Sequence, residues 1–106
     1  MPKYLLEVSY TAEGAKGLLK DGGTKRRAAA QAVVQSAGGN LEAMYYAFGA
    51  NDAIVIVDFP DAASMAAASI TIGASGAVTC KTTVLLTPED VDAAVKKSPT
   101  YTPPGR

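Results

Sequence analysis

The chain contains no histidine and no tryptophan, and it has one cysteine among its 106 residues. Without histidine, the sequence excludes the usual base at physiological pH, the Ser-His and Cys-His nucleophile pairs, and histidine-ligated zinc or haem. A single cysteine forms neither an internal disulfide nor a thiolate metal cage. The sequence therefore predicts no metal site and no cofactor, and it excludes many common enzyme mechanisms.

Excess charge of either sign is also missing, because Lys and Arg number 10 and Asp and Glu number 10. The protein then has no overall field that would attract nucleic acid or an anionic membrane. Residues 62–80 carry no charge, but their serines, threonines and glycines make them too weakly apolar for a membrane span. The N-terminus has no pattern typical of a targeting segment. We therefore predict a cytoplasmic protein without nucleic-acid or membrane partners.

The first 40 residues predict one strand and two helices. Residues 3–10 alternate with the period of a strand. Thr11 is a capping residue for a short helical segment, which the glycines Gly22 and Gly23 end. A second helix begins at Thr24, because apolar residues recur at helical spacing up to the stop at residues 38–39.

The remainder predicts a hairpin, a helix, a strand and a last helix. Residues 40–48 and 53–59 are rich in aromatic and β-branched side chains, and the turn-forming residues 49–52 separate them. Asp61 caps a helix that runs to about Ser75, and residues 77–86 form a fourth strand. Residues 87–90, with the sequence Thr-Pro-Glu-Asp, begin the last helix.

The order of strands and helices is that of the ferredoxin-like α+β fold, βαββαβ, with an extra C-terminal helix. We expect one domain over residues 1–97 and an extended, proline-rich tail over residues 98–106. Helices cover only one face of such a sheet, yet the third strand is apolar on both faces. The helix between Asp61 and Lys81 has no charged side at all. Both features predict that the chain is an obligate homo-oligomer, a dimer at least.

Residues 48–61, with the sequence FGANDAIVIVDFPD, resemble the GYD-domain family of small bacterial proteins. Two earlier stretches, residues 4–10 and 14–27, are also similar to that family. The Gly and Asp of the family name fall on Gly49 and Asp52, whereas Asn51 stands at the position of the Tyr. The resemblance implies a dimeric α+β barrel, in which two ferredoxin-like sheets pack face to face. It implies no established reaction, because relatives of this architecture include cofactor-free oxygenases, isomerases, haem proteins and regulators.

Three charged residues interrupt apolar or Thr-rich strands: Glu7 on the first, Asp58 on the third and Lys81 on the fourth. In a ferredoxin-like sheet the first strand lies between the other two, so these side chains can gather on one face. A carboxylate beside a lysine, with Tyr46 or Tyr10 as phenolic donor, is suited to proton transfer without a cofactor. The alternative is a structural cross-strand ion pair, or edge charges that oppose aggregation.

The start of the second helix is the candidate for ligand binding. It combines the glycines Gly22 and Gly23, the hydroxyl of Thr24, and the cations Lys25 and Arg26. Cations at this end oppose the helix dipole, so we predict that Lys25, Arg26 or both contact an anion or a carboxylate. The alternative is that an acid from the sheet or from a neighbouring subunit compensates the charge, or that solvated arginines tolerate the small penalty.

Two functions of different classes remain. The first is a small-ligand-binding protein of the dimeric α+β barrel type, and one form of it is a cofactor-independent enzyme that acts on a small organic or anionic molecule by proton transfer. The second is a non-catalytic oligomeric module for structure or interaction. The first predicts a closed pocket between sheet and helices with at least two convergent titratable groups, Tyr10 among its ligand contacts. The second predicts paired and solvent-accessible groups.

Overall fold

A computed structural model describes residues 1–47 and 49–106 of the chain. The elements follow in the order β1 (Lys3–Tyr10), α1 (Ala12–Asp21), α2 (Gly23–Ser36), β2 (Asn40–Tyr46), β3 (Ala53–Asp58), α3 (Ala62–Ala74), β4 (Val78–Leu85) and α4 (Pro88–Val95). The predicted elements are present, with small differences at their ends. Phe48, where the sequence ended the second strand and began the GYD-like stretch, lies outside the described residues.

Short polar side chains begin three of the helices, as the sequence predicted. The Thr11 hydroxyl accepts a hydrogen bond from the Gly14 N–H at 3.2 Å, and the Asp61 carboxylate accepts one from the Ser64 N–H at 2.8 Å. Thr87 and Asp90 bond each other's backbone N–H at 3.0 Å, which forms a capping box. These bonds satisfy N–H groups that have no partner within their own helix.

Gly22 separates α1 from α2. Its φ of +79° lies in the left-handed region, which glycine adopts without steric cost. Its N–H donates to the carbonyl oxygen of Leu18 at 2.8 Å and so ends α1. The two helices therefore meet at a sharp backbone turn.

The strands form one antiparallel sheet in the order β2-β3-β1-β4, which confirms the ferredoxin-like α+β fold. Paired residues such as Leu6, Val55 and Thr82 share the face that packs against the helices. The core on this face is formed by apolar side chains of β1, β3, α2, α3 and the residue after β3: Tyr4, Leu6, Val34, Val55, Val57, Phe59 and Ala68.

A β-bulge in β2 determines which of its side chains reach the helices. Leu41 pairs with Val57 and Ala43 pairs with Ile56, so the register shifts between Leu41 and Ala43. A bulge reverses the alternation of side chains along the strand that follows it. As a result Tyr46, which pairs with Ala53, points to the helix side of the sheet.

We call the opposite side of the sheet the open face, because in the described part of the chain the helices pack on the other side. The sheet register places eleven side chains of β1, β3 and β4 there: Lys3, Leu5, Glu7, Ser9, Ile54, Ile56, Asp58, Thr79, Lys81, Thr83 and Leu85. The four apolar ones are only half-buried. Helix α3 is likewise covered on one side, where Ala68 is buried, while Ile70 is 71% exposed.

The C-terminal part of the chain extends away from this body. All residues from 88 to 102 are exposed. The radius of gyration is 16.9 Å, whereas a compact domain of 100 residues has about 13 Å. The accessible surface is 7091 Å², against about 5,500 Å² for a compact chain of this mass. In residues 1–47 and 49–106 no helix combines the length and apolar character that a membrane crossing requires.

Candidate functional site

A cavity of about 470 Å³ lies where the turn between α1 and α2 approaches the ends of β1 and β2. We call it the tyrosine cavity, since two tyrosines face each other in it. Its lining combines small and apolar side chains with two phenols and one carboxylate: Tyr10, Ala15, Leu18, Gly22, Gly23, Tyr46, Ala47 and Asp52. Four of the sequence candidates, Tyr10, Tyr46, Gly22 and Gly23, are therefore brought together here.

Hydrogen bonds fix the polar groups of the tyrosine cavity. The Tyr46 hydroxyl donates to the carbonyl oxygen of Gly23 at 3.0 Å. A Cβ atom at Gly23 would lie 3.0 Å from the Tyr46 ring, so glycine at this position lets the ring approach α2 closely. The Asp52 carboxylate accepts a hydrogen bond from the Tyr10 N–H at 2.8 Å, and the Asp52 N–H donates to the Val8 carbonyl at 2.8 Å.

The environment of Tyr10 keeps its phenol protonated. Burial raises the pKa of Tyr10 above its ordinary value of 10.0, and the adjacent Tyr46 hydroxyl raises it further. Arg26 opposes this shift and Asp52 reinforces it. Because the neutral form is favoured, Tyr10 is a hydrogen-bond donor over the whole physiological pH range.

The raised pKa of Tyr10 predicts that the stability of the protein depends on pH. The folded state holds the phenolic proton more tightly than the unfolded state, so the unfolded state ionises first as the pH rises. We expect the unfolding free energy of the wild type to fall, relative to Tyr10→Phe, as the pH rises above about 10. Chemical denaturation at several pH values measures it. Exposed Tyr45→Phe is the control, and a difference that stays constant with pH would contradict the assignment.

A second cavity, of about 270 Å³, lies between the sheet, α2 and α3. It shares Tyr10 with the tyrosine cavity, and Arg26 and Cys80 also line it among mainly apolar side chains. Burial raises the pKa of the Cys80 thiol, so this thiol stays protonated at neutral pH. The two cavities adjoin each other at Tyr10, and both are largely apolar.

A carboxylate of the chain itself lies beside the cations at the start of α2. Asp21, the last residue of α1, places its carboxylate 3.6 Å from the Lys25 amino group and 3.7 Å from the Arg26 guanidinium group. The Asp21 side chain is only 20% exposed. Lys25 and Arg26 therefore lie near a carboxylate, as predicted, but the acid belongs to α1 and not to the sheet or a neighbouring subunit. Binding of an external anion stays a prediction. Thr24 lies on a neighbouring shallow groove, which shares Gly23 and Tyr46 with the tyrosine cavity.

The proposed catalytic residues lie on two sides of the sheet. Glu7 and Lys81 are register partners on the open face. Asp58 shares that face but is opposite Lys3, about 13 Å along the strand from Glu7 at 3.3 Å per residue. Tyr46 lies on the helix side, so the structure does not bring it to the other three. A catalytic role for Glu7, Asp58 and Lys81 stays a prediction.

Three charged residues of the open face, Lys3, Glu7 and Asp58, have partners within the chain. The Lys3 amino group lies 2.7 Å from the Glu42 carboxylate and 2.8 Å from the Asp58 carboxylate. The hydrogen bond to Asp58 raises the pKa of Lys3 most, and the bond to Glu42 raises it further. The Glu7 carboxylate accepts a hydrogen bond from the Asn51 side-chain amide at 2.8 Å. This arrangement is typical of structural charge pairing on a sheet.

Sequence reasoning missed Asp52 as a site residue and treated it as part of a hairpin loop. Its neighbour Asn51 bonds Glu7 on the open face, whereas Asp52 bonds the end of β1 and lines the tyrosine cavity. The one indication was its place in the GYD-like stretch, as the Asp of the family name. Residue types alone do not predict to which side of the sheet each loop side chain points.

These features define a ferredoxin-like α+β domain with a small, mainly apolar cavity between its sheet and a pair of helices. Within residues 1–47 and 49–106, no group of three or more Asp, Glu or Cys side chains is placed to hold a metal ion. The GYD domain matches residues 4–95 of the 106-residue chain, and the chain belongs to this family, as its sequence predicted. No curated protein matches the chain, and no solved structure does.

Proposed function

We propose that the protein binds a small, mainly apolar organic molecule with one oxygen-bearing group in the tyrosine cavity. The observation that carries this proposal is the convergence of Tyr10, Tyr46 and Asp52 in a cavity of about 470 Å³. Ligand sites are typically concave, mostly apolar and about 300–1,000 Å³ in volume, with a few placed polar groups. The tyrosine cavity has this volume and an apolar lining, although it opens to solvent and is not the closed pocket that the sequence predicted. The convergence of three titratable groups supports a ligand site over a packing gap.

The lining indicates how such a ligand would be held. Ala15 and Leu18 of α1 offer apolar contact, which favours a hydrocarbon or aromatic body. The protonated Tyr10 phenol offers a hydrogen bond to a carbonyl or hydroxyl oxygen. Arg26, close enough to lower the pKa of Tyr10, adds positive potential that favours developing or fixed negative charge on that oxygen.

The same groups fit a cofactor-independent proton transfer. In this form of the function, the Asp52 carboxylate takes a proton from a carbon adjacent to the ligand carbonyl. The Tyr10 hydroxyl donates a hydrogen bond to the enolate oxygen that develops, and Asp52 returns the proton to the same or a conjugated carbon. The step is an isomerisation or exchange that consumes no oxidant, reductant or co-reactant.

Replacement of Tyr46 by Phe tests ligand binding in the cavity. The variant removes the hydroxyl that bonds Gly23 and keeps the ring. With acetophenone and 4-nitrophenol as probes, titrated by NMR, we expect saturable shifts of the Gly22 and Gly23 amide signals in the wild type. In Tyr46→Phe we expect affinity about fivefold lower, because loss of the internal bond to Gly23, worth about 1 kcal/mol, frees the ring that forms one wall of the cavity. Tyr45→Phe, in the same strand but exposed, is the matched control and should bind as the wild type.

Two results would contradict the proposal. One is the absence of saturable shifts with both probes together with the absence of a co-purified small molecule in native mass spectra. The other is equal loss of affinity in Tyr46→Phe and Tyr45→Phe, since only the first residue lines the tyrosine cavity. Deuterium exchange into acetophenone, lost in Asp52→Asn, would support the catalytic form.

A non-catalytic oligomeric module is the second candidate, and the ion pairs of the open face favour it. Lys3, Glu42 and Asp58 hold one another there, as structural groups do. We propose that a second copy of the chain covers the half-buried apolar side chains of this face, Leu5, Ile54, Ile56 and Leu85. The tyrosine cavity lies on the other side of the sheet, so assembly and ligand binding are compatible in one protein.

A further inference from the structure

Helix α4 is the least supported element of the described chain. Residues 88–102 are all exposed, including Val91 at 46% and Val95 at 68%. No ion pair within the described part of the chain involves the charged side chains of α4 or the two lysines that follow it. The helix thus has a capping box at its start and an apolar stripe that its own domain leaves largely exposed.

A helix of eight residues does not persist alone in water. Nucleation is costly, and isolated helices shorter than about 12–15 residues are marginal even with good helix formers. The capping box of Thr87 and Asp90 favours the start of α4 but adds only about the free energy of one or two weak hydrogen bonds. The remaining stability must come from packing of the apolar stripe against another surface.

The exposed area favours a second copy of the chain as that surface. The chain exposes 7091 Å², about 1,500 Å² more than a compact chain of this mass. A stable interface removes about 800 Å² from each partner. The excess therefore equals about two such contacts, which α4 and the open face can provide against copies of the chain.

The charges of α4 are complementary to α4 itself when two copies run antiparallel. A two-fold axis level with Ala93 and Ala94 places Val91 against Val95 of the partner subunit, and Ala94, which shares their side of the helix, lies where the two helices approach. The same register places Asp92 against Lys96 of the partner subunit and Asp90 against Lys97 of the partner subunit. Flanking residues on the same side face each other in antiparallel helix pairs, and the helix dipoles also oppose favourably.

We propose that α4 is an assembly arm that packs antiparallel against α4 of a second copy, with Val91 and Val95 as its apolar contact and reciprocal Asp92–Lys96 pairs on its flank. The contact is isologous, so each residue is used twice. This contact is separate from the tyrosine cavity and from the open face. The sequence of α4 therefore influences which chains associate with one another.

A charge exchange between chains tests the proposal. We expect Asp92→Lys alone and Lys96→Asp alone each to weaken self-association about tenfold, because two attractive pairs become repulsive in each dimer. An equimolar mixture of the two variants should recover association, as every flank pair is again of opposite charge. Sedimentation velocity at matched ionic strength measures all three. The control is Glu13→Lys and Lys16→Glu, an exposed pair on α1.

The mixture of the two variants distinguishes a charge contact between chains from a loss of helix stability within each chain. Each single variant loses the attraction between residues 92 and 96 of its own helix, and mixing does not restore that attraction. Weakening without recovery on mixing would overturn the proposal, and so would variants that associate as the wild type does.

A cross-link reads the contact directly even if the open face also holds the assembly together. In a Cys80→Ser background, Ala94→Cys lies near the proposed axis and should form an intermolecular disulfide rapidly under mild oxidant. Ala28→Cys, exposed on α2, is the control. Equal rates of cross-linking at the two positions would overturn the antiparallel arrangement.

Discussion

Light scattering at low micromolar concentration is expected to give a mass of at least twice 10.8 kDa. A single chain leaves the apolar side chains of the open face only half-buried, and it leaves Ile70 of the uncharged helix α3 71% exposed. Monomers rarely expose contiguous apolar patches of this kind, since their burial against a partner is favourable. A folded particle of 10.8 kDa at this concentration would contradict the prediction.

A charge on the open face should separate the copies. Ile56 lies in the middle strand pair of that face, opposite Leu5. We expect Ile56→Lys to weaken self-association at least tenfold, because the substitution removes apolar contact and places an unpaired charge in the interface. Ala28→Lys, on the exposed side of α2, should leave the mass unchanged. Assembly of Ile56→Lys at wild-type strength would exclude this face as the contact.

Replacement of Gly14 by Ala is expected to destabilise the protein by about 3 kcal/mol, because a Cβ atom there overlaps the carbonyl oxygen of Ala77. That oxygen also accepts hydrogen bonds from the Thr11 N–H at 2.9 Å and the Thr11 hydroxyl at 3.0 Å. Helix α1 would have to move away from β4 and lose these bonds. Its movement would also shift Ala15 and Leu18, so ligand affinity of the tyrosine cavity should fall with stability.

Gly17 provides the matched control in the same helix. A Cβ atom there meets nothing within 4 Å. We expect Gly17→Ala to stabilise the protein by about 0.5–1 kcal/mol, through the higher helix propensity of alanine. Thermal unfolding followed by circular dichroism should therefore move in opposite directions for the two variants. A melting temperature of Gly14→Ala equal to that of the wild type would show that α1 does not pack as described.

Local interactions explain why the elements could be predicted from the sequence. Thr11, Asp61 and Thr87 bond backbone groups three residues away, so residue type and position suffice to place the helix starts. Alternation along β1 likewise determines that Tyr4 and Leu6 share one face and Glu7 the other. The order of these elements then limits the topology to the ferredoxin-like sheet.

Which residues line the candidate site depended on tertiary structure. Strict alternation from Leu41 would place Tyr46 on the open face with Glu7, but the bulge between Leu41 and Ala43 reverses the side chains that follow. A bulge depends on the pairing partner, and residue types do not specify it. Tyr46 therefore meets Tyr10 and Gly23 instead of the charged residues of the sheet.

The sequence by itself determined the elements, their order, the family and the mismatch between cations and helix dipole at the start of α2. Tertiary structure decided that Asp52 turns toward the tyrosine cavity and that the apolar stripe of α4 stays largely exposed on its own domain. Each of these outcomes depends on where a side chain meets residues distant in sequence or across a backbone turn. Such contacts follow from packing in three dimensions, whereas caps and periodicity act within a few residues.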